Sequence, residues 1–169
     1  MKVYITGSTG SGKITTACRL SEQLYVPSFK LDDIVWDNTS GYTAKKYPEE
    51  IRDKNIQSIL KQESWIAEGI YFHDWMLPLL KSVDFVILLS PLRTIRDFRL
   101  CKRYIKSKFN NKILSEDLVV LYKNIKWGRS YEKNKLPSLI ELLQDNNIKY
   151  YSYNGKNPVD FTLEKIKIH

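Results

Sequence analysis

Cysteine is scarce in this chain: only Cys18 and Cys101 occur among 169 residues, so no disulfide framework holds the fold. Histidine offers as little, because His73 is the only one inside the chain and has no partner at metal-ligand or triad spacing. No zinc pattern is present. No run approaches the ~18 uninterrupted apolar residues of a membrane span. The apolar residues 3–5 give way to glycines, without the apolar core and cleavage site of a secretion signal. The expected location is therefore the cytosol. Internal repeats and low-complexity segments are also missing. Glycine is sparse as well, seven in all, yet three of them fall at positions 7, 10 and 12.

What is present describes a globular domain. Hydrophobic residues make up 43% and charged residues 27%, and the length suffices to close one core. The net charge of +8 attracts phosphates of any kind, whether of a nucleic acid or of a polyphosphate nucleotide. Charge alone does not separate the two.

Apolar periodicity supplies the element order. Residues 2–6 read as a buried strand and 13–24 as a helix, with Ala17, Leu20 and Leu24 on one face. Beyond Pro27, residues 29–31 form a short strand ending on Asp32 and Asp33, followed by a polar loop over 37–47. Pro48, Glu49 and Glu50 open a helix whose apolar side is Ile51, Ile56, Ile59 and Leu60. Strands follow at 65–67, ending in Glu68-Gly69, and at 84–89, the latter apolar enough to be covered on both faces. Pro91 starts a long basic helix to about residue 108, with a polar break at 110–112. Ser115 caps the next helix, with Glu116 and Asp117 in its first turn and Leu118, Leu121, Tyr122 and Ile125 inward. A helix over 137–144, a strand over 148–153 and a helix over 158–167 complete the chain. Such alternation predicts an α/β fold with a parallel sheet, in one domain with insertions at 37–64 and 104–135.

The glycines carry the chemistry. Gly7-Ser8-Thr9-Gly10-Ser11-Gly12-Lys13 fits the first seven positions of the phosphate-binding Walker A pattern, between a strand and a helix. Backbone amides must turn inward around a phosphate, which needs positive φ and close approach to the main chain. The helix dipole adds to this, and Lys13 bridges the β- and γ-phosphates. The expected nucleotide contacts run from Gly7 through Ile14 and Thr15. The pattern normally ends in a Ser or Thr that ligates Mg²⁺, and here it ends in Ile14. Thr15 and Thr16 follow, but one helical step turns a side chain ~100° away.

Glu68 ends a strand at the carboxyl edge, where α/β sheets place ligand groups, and can hold Mg²⁺ or a water of its shell; otherwise it is a surface acid. One of Asp32 and Asp33 can orient an acceptor hydroxyl or take its proton, or the pair can cap a turn. Arg96, Arg99 and Arg103 lie along one helical stripe. That stripe fits a clamp on a migrating phosphoryl group, a nucleic-acid footprint over 93–112, or a solvated face. Trp36 and Tyr71 stand beside the candidate acids and can stack on an acceptor, whereas Trp65 and Trp75 suit the core.

These residues resemble the adenylate-kinase-like P-loop kinases, most closely the bacterial group called DNA topology modulation proteins. The resemblance rests on the loop at 7–13, Leu-Asp-Asp-Ile-Val-Trp (31–36), Trp-Ile-Ala-Glu-Gly-Ile-Tyr (65–71), the arginine helix, Trp127 and Tyr-Glu-Lys-Asn-Lys-Leu-Pro (131–137). It implies a three-layer P-loop NTPase fold with five parallel strands, an acceptor-binding region and a helical lid. Lys13, Asp32, Arg99 and Arg103 would be catalytic, Glu68 the Walker B acid toward the metal, and the loop with Asn154 and Lys156 would flank the adenine. Members usually carry Ser or Thr at position 14 and an acid at 90, whereas this chain has Ile14 and Ser90. The leading expectation is a phosphotransferase using ATP and Mg²⁺ on a small, nucleoside- or nucleotide-like acceptor. Nucleotide-dependent nucleic-acid binding and a weakly catalytic nucleotide sensor are the alternatives, and the pattern leaves the oligomeric state open.

Overall fold

The structure is a computed structural model that describes residues 1–37, 45–109 and 118–168. Most of the expected loop at 37–47, the polar break at 110–112 and the Ser115 cap with Glu116 and Asp117 lie outside the described residues.

An apolar run closed by glycine produces β1 (Lys2–Gly7), and α1 (Lys13–Leu24) follows the phosphate loop directly. Then come β2 (Ser28–Lys30), the single turn α2 (Asp32–Val35), a small antiparallel pair β3 (Trp36–Asp37) and β4 (Lys45–Lys46), and α3 (Glu49–Leu60). Next are β5 (Trp65–Gly69), a 3₁₀ turn (Asp74–Met76), α4 (Leu77–Ser82) and β6 (Phe85–Leu89). The basic helix is α5 (Arg93–Phe109), and α6 (Leu118–Ser130) runs into a π-helical segment (Tyr131–Lys135) and α7 (Leu136–Asp145). The last elements are β7 (Tyr150–Tyr153) and α8 (Pro158–Lys167).

The five-stranded sheet is parallel, in the order β2-β5-β1-β6-β7. Alternation along β1 divides the core into two layers. Val3 and Ile5, with Ile66, Phe85 and Ile87, pack on Ala17 and Leu20 of α1 and on the apolar side of α8. Tyr4, with Ala67, Val86 and Leu88, faces Ile56 and Ile59 of α3, Leu79 and Leu80 of α4, and Leu139 and Leu143 of α7. The result is the three-layer α/β arrangement expected from the element order. Because every strand runs the same way, the ends of β1, β2 and β5 deliver the phosphate loop, the Asp32 turn and Glu68 to one edge.

Three local expectations are corrected. Asp32 and Asp33 do not end a strand; they open α2, because Leu31 N–H makes a last bond to Glu68 O (2.9 Å) while Leu31 O accepts from Ile34 and Val35 N–H (3.1 Å each) and turns the chain. Ile51 is exposed on α3, which meets the sheet only through the side bearing Ile56 and Ile59. On α6, Leu121 points inward but Leu118 and Tyr122 are exposed. Trp65 is core as expected, and half-buried Trp75 packs against the same core while also lining a small cavity.

Candidate active site

The loop between β1 and α1 is held by its own backbone. Ser11 N–H donates to Ser8 O at 3.1 Å, and φ reaches 82° at Gly10 and 100° at Gly12, values that a Cβ would strain. A Cβ on Gly10 would also meet Arg96 Cγ at 3.0 Å. Lys13 is buried, with Nζ 3.5 Å from Ser8 O. Burial pushes its pKa down; Glu68 and Asp32 resist that shift, and Arg103 adds to it. These four charged groups therefore share one electrostatic neighbourhood. Arg99 Nη1 donates to Ser11 O at 2.9 Å, so the arginine helix grips the loop directly.

Glu68 lies beside this loop because β5 pairs with β1 in the register Ile5↔Glu68. Its side chain is buried, and loss of solvent raises its pKa to about 7 against the opposing pull of Lys13, with Asp32 adding to the rise. Glu68 Oε1 is buried with no hydrogen-bond partner, and so is Ser11 Oγ. Two orphaned polar atoms flanking a glycine loop fit a bound polyphosphate with its metal, since a buried oxygen without a partner is otherwise costly. Among the described residues no group of three or more His, Cys, Asp or Glu could hold a metal by itself. The donor set thus fits an ion that arrives on phosphate oxygens, with Glu68 as the protein's carboxylate.

The hydroxyl missing at position 14 is not replaced from nearby. Ile14 is 47% exposed, and Thr16 Oγ1 is spent on Gly12 O at 2.9 Å, a bond back to the carbonyl one turn before it. Thr15 faces a cavity of about 350 Å³ between α1 and α8, which Arg19, Arg99, Lys156, Asn157 and Pro158 also line. Lys156 is thus placed against the loop side of this cavity, while Asn154 is not among its lining residues. Ser90, at the position where an acid was expected, pairs weakly with Ser152 Oγ at 3.4 Å.

On the other side of Glu68, Trp36 Nε1 donates to Tyr71 Oη (3.0 Å) and Tyr71 Oη donates to Asp32 Oδ1 (2.8 Å). Burial and the Asp32 carboxylate both push the Tyr71 pKa up, so this hydroxyl stays a donor. Beside the chain lies a cavity of about 140 Å³ lined by Trp36, Lys46, Arg52, Tyr71, His73 and Trp75. Lys46 Nζ lies 5.3 Å from the centroid of the Trp36 ring, and Arg52 Cζ lies 4.8 Å from that of Trp75. Sequence reasoning named Trp36, Tyr71 and Asp32 but missed Arg52 and Trp75. Their pairing joins two helices' worth of separated sequence, and no local signal announces it.

Arg96 departs furthest from expectation. It is fully buried, and its guanidinium donates to Asp97 Oδ1 (2.9 Å) and to Glu132 Oε1. It therefore turns away from solvent and from any nucleic acid. Arg99 turns inward too, and Arg103, one turn further along the same stripe, is exposed yet within electrostatic reach of Lys13, while Arg93, Lys102, Lys106 and Lys108 are exposed elsewhere around α5.

No family model matches the chain, and no curated protein matches it. Among solved structures, shikimate kinase from Acinetobacter baumannii in complex with shikimate superposes with a TM-score of 0.61 at 16% identity, covering 99% of this chain and 91% of that one. Shikimate kinase from Bacteroides thetaiotaomicron gives 0.58 at 15% identity, covering 99% and 96%. The chain has the P-loop fold of these proteins. At such identities the likeness is one of fold alone. Among the described residues, no helix is long and apolar enough to cross a membrane.

Proposed function

We propose that this chain is a phosphotransferase that moves the γ-phosphoryl group of ATP to a hydroxyl of a small, nucleotide-like acceptor. The observation that supports it best is the meeting of buried Lys13 and Glu68 with half-buried Asp32 at one sheet edge, with Glu68 Oε1 and Ser11 Oγ lacking partners. Lys13 and the amides of residues 8–13 bind the β- and γ-phosphates, while Arg99 and Arg103 neutralise charge that spreads over the transferring group. A magnesium ion bound with the triphosphate supplies further neutralisation, and Glu68 is the residue that would hold it. Asp32, oriented by Tyr71, takes the proton of the acceptor hydroxyl as its oxygen bonds to phosphorus and the bond to the ADP oxygen breaks. The base stands over the cavity at Thr15 and Lys156, with Asn154 at its margin.

Lys46, held over Trp36 beside the smaller cavity, favours an acceptor with an anionic group, while the Arg52 guanidinium is already ion-paired with Asp53 and Glu49. On this reading the residues at 37–64 form the acceptor side, those at 104–135 the lid, and the whole is one cytosolic catalytic domain. The motifs shared with the DNA topology modulation group then belong to small-molecule kinase chemistry. The decisive experiment is acceptor-dependent ADP release from Mg-ATP across nucleosides, nucleoside monophosphates, sugars and small acids. Failure of every acceptor would sink the proposal.

Asp32→Asn should lower kcat by about 10²-fold, within the usual range for a lost general base, while KM for ATP changes little. Steady-state kinetics with the best acceptor of the panel checks this; an unchanged kcat would remove Asp32 from the chemistry.

A second reading, a nucleotide sensor with weak turnover, is favoured by the exposed Ile14 and by the spent hydroxyl of Thr16. It predicts that Ile14→Ser raises kcat by about tenfold or more by restoring an oxygen toward the metal, as a lost transition-state donor costs at least that much. Single-turnover assays at several Mg²⁺ concentrations would read it. An equal rate in the two proteins would show that the missing hydroxyl does not limit turnover.

A further inference from the structure

The residues at 131–137 took no part in the chemistry above, yet they contact Thr6, just before the phosphate loop, and Arg96, which packs on Gly10. The backbone there is π-helical: Leu136 N–H bonds to Tyr131 O, five residues back, and Pro137 has no N–H with which to close the ordinary α-helical bond. Insertions of this kind in helices concentrate at functional sites. Here two successive side chains of the wider turn reach β1 and α5, the elements that flank the loop. Tyr131 is buried, and its hydroxyl lies 3.4 Å from Thr6 Oγ1, one residue before Gly7. Glu132 bonds to Arg96 Nη1 and accepts from Arg93 Nε at 3.0 Å.

Arg96 then carries the contact to the far side of the loop. A Cβ on Gly10 would stand 3.0 Å from Arg96 Cγ and 3.1 Å from Arg96 O. A Cβ on Gly128 of α6 would stand 3.1 Å from Arg96 Cζ. The arginine is thus wedged between the loop and α6, with glycine on both sides because nothing larger fits. Asp97 takes the remaining donors, at 3.1 Å from Nε and 2.9 Å from Nη2, and is itself paired with Arg129 of α6 at 3.5 Å. A guanidinium so enclosed has no room for a ligand.

We propose that Arg96 is a positioning residue: with Glu132 of the π-helical segment and Gly128 of α6, it braces Gly10 and so sets the geometry of the phosphate loop. Resting on the nucleotide-binding part of the proposed function, this makes the loop's phosphate affinity depend on α6 and the π-helical segment, within the lid region. Misplacing binding groups by about 1 Å can cost about 10²-fold. A shift of a few tenths of an ångström from one added methyl should therefore cost several-fold.

Gly128→Ala is the test variant because it presses on the guanidinium from the side away from the loop. Arg96→Lys is its companion, keeping charge while losing the fork. Ile59→Val, in the core layer remote from the loop, is the control for lost stability alone. Two readouts are taken at a temperature where all are folded: hydrogen exchange at residues 8–13 without nucleotide, and the Kd of a fluorescent ATP analogue. We expect faster loop exchange in Gly128→Ala and Arg96→Lys, a Kd raised about 5- to 20-fold, and neither effect in Ile59→Val. Loop exchange and Kd unchanged in the two variants, whatever their melting temperatures, would overturn the brace. If the wild-type protein bound no nucleotide, the functional reading would fall, and loop exchange would still decide the brace.

Discussion

Lys13→Ala should abolish acceptor-dependent ADP release, lowering kcat by about 10³-fold, while binding the nucleotide only several-fold more weakly. The asymmetry follows from how the loop is built. Cradling is done by backbone amides and the start of α1, which the substitution leaves in place. What disappears is the one buried ammonium aimed at the transferring group, and a preorganised charge in a water-poor site acts mainly on the transition state. Lys13 also opposes the upward shift of the Glu68 pKa, so its removal drives that carboxyl further toward its neutral form at pH 7 and weakens its hold on a metal. On the proposed function, one change would therefore impair two groups of the site. Melting temperature should respond little, because the variant loses an attractive pairing together with a desolvated charge. The check is ADP release with the best acceptor, alongside equilibrium binding of ATP. A variant that lost binding and rate in equal proportion would show that Lys13 serves uniform binding; one that kept its rate would take Lys13 out of catalysis.

Legibility from sequence followed the range of the interactions involved. The helix after the phosphate loop and the final helix could be read to their ends, Lys13–Leu24 and Pro158–Lys167, because glycine, proline and apolar spacing act within one turn. Strands β1, β5 and β6 were likewise visible as apolar runs, whereas β2 was read one residue late, at 29–31, and β7 two residues early, from 148. The loop, Glu68 and Asp32 could be chosen as candidates because strand ends of a parallel sheet share an edge. Arg96 and Arg99 could not be told apart in this way. Both sit on one stripe of α5, and only packing decides that Arg96 is sealed under Gly128 and Glu132 while Arg99 reaches Ser11 O. The π-helical turn was hidden for a similar reason: Pro137 was readable as a helix start, but the shift to a five-residue bond needs α6 to continue into it. The short α4 and the β3–β4 pair escaped because elements of two to six residues carry too little periodicity.

The ionisation of Glu68 leads to the second large effect, one in which stability and activity move in opposite directions. Its pKa of about 7 stands above the ordinary carboxyl value because burial disfavours the charge more than Lys13 supports it. The folded protein therefore binds a proton here that the unfolded chain has already released between pH about 4.5 and 7. The stabilisation is fully present below the unfolded pKa and is lost as the pH rises through about 7, where the full cost of ionising Glu68 is on the order of 3 kcal/mol. Glu68→Gln never ionises and escapes that loss. Its melting temperature should match the wild type near pH 5 and exceed it at pH 8 by on the order of 5 °C. Phosphoryl transfer should meanwhile fall by about 10²- to 10³-fold at pH 8, since the neutral amide cannot replace a carboxylate toward a cation. In the wild type the same titration should appear as a rate that declines as pH drops below 7. Melting curves and initial rates over pH 5 to 9 test all three. A melting difference that stays flat with pH would mean that Glu68 is ionised throughout, and the partnerless carboxylate would then need a bound cation even in the resting protein. A pH-dependent melting difference with full activity in Glu68→Gln would keep the buried acid and remove it from catalysis. Only the joint outcome, stability gained and transfer lost above pH 7, identifies Glu68 as a charge kept at a cost for the sake of the ligand.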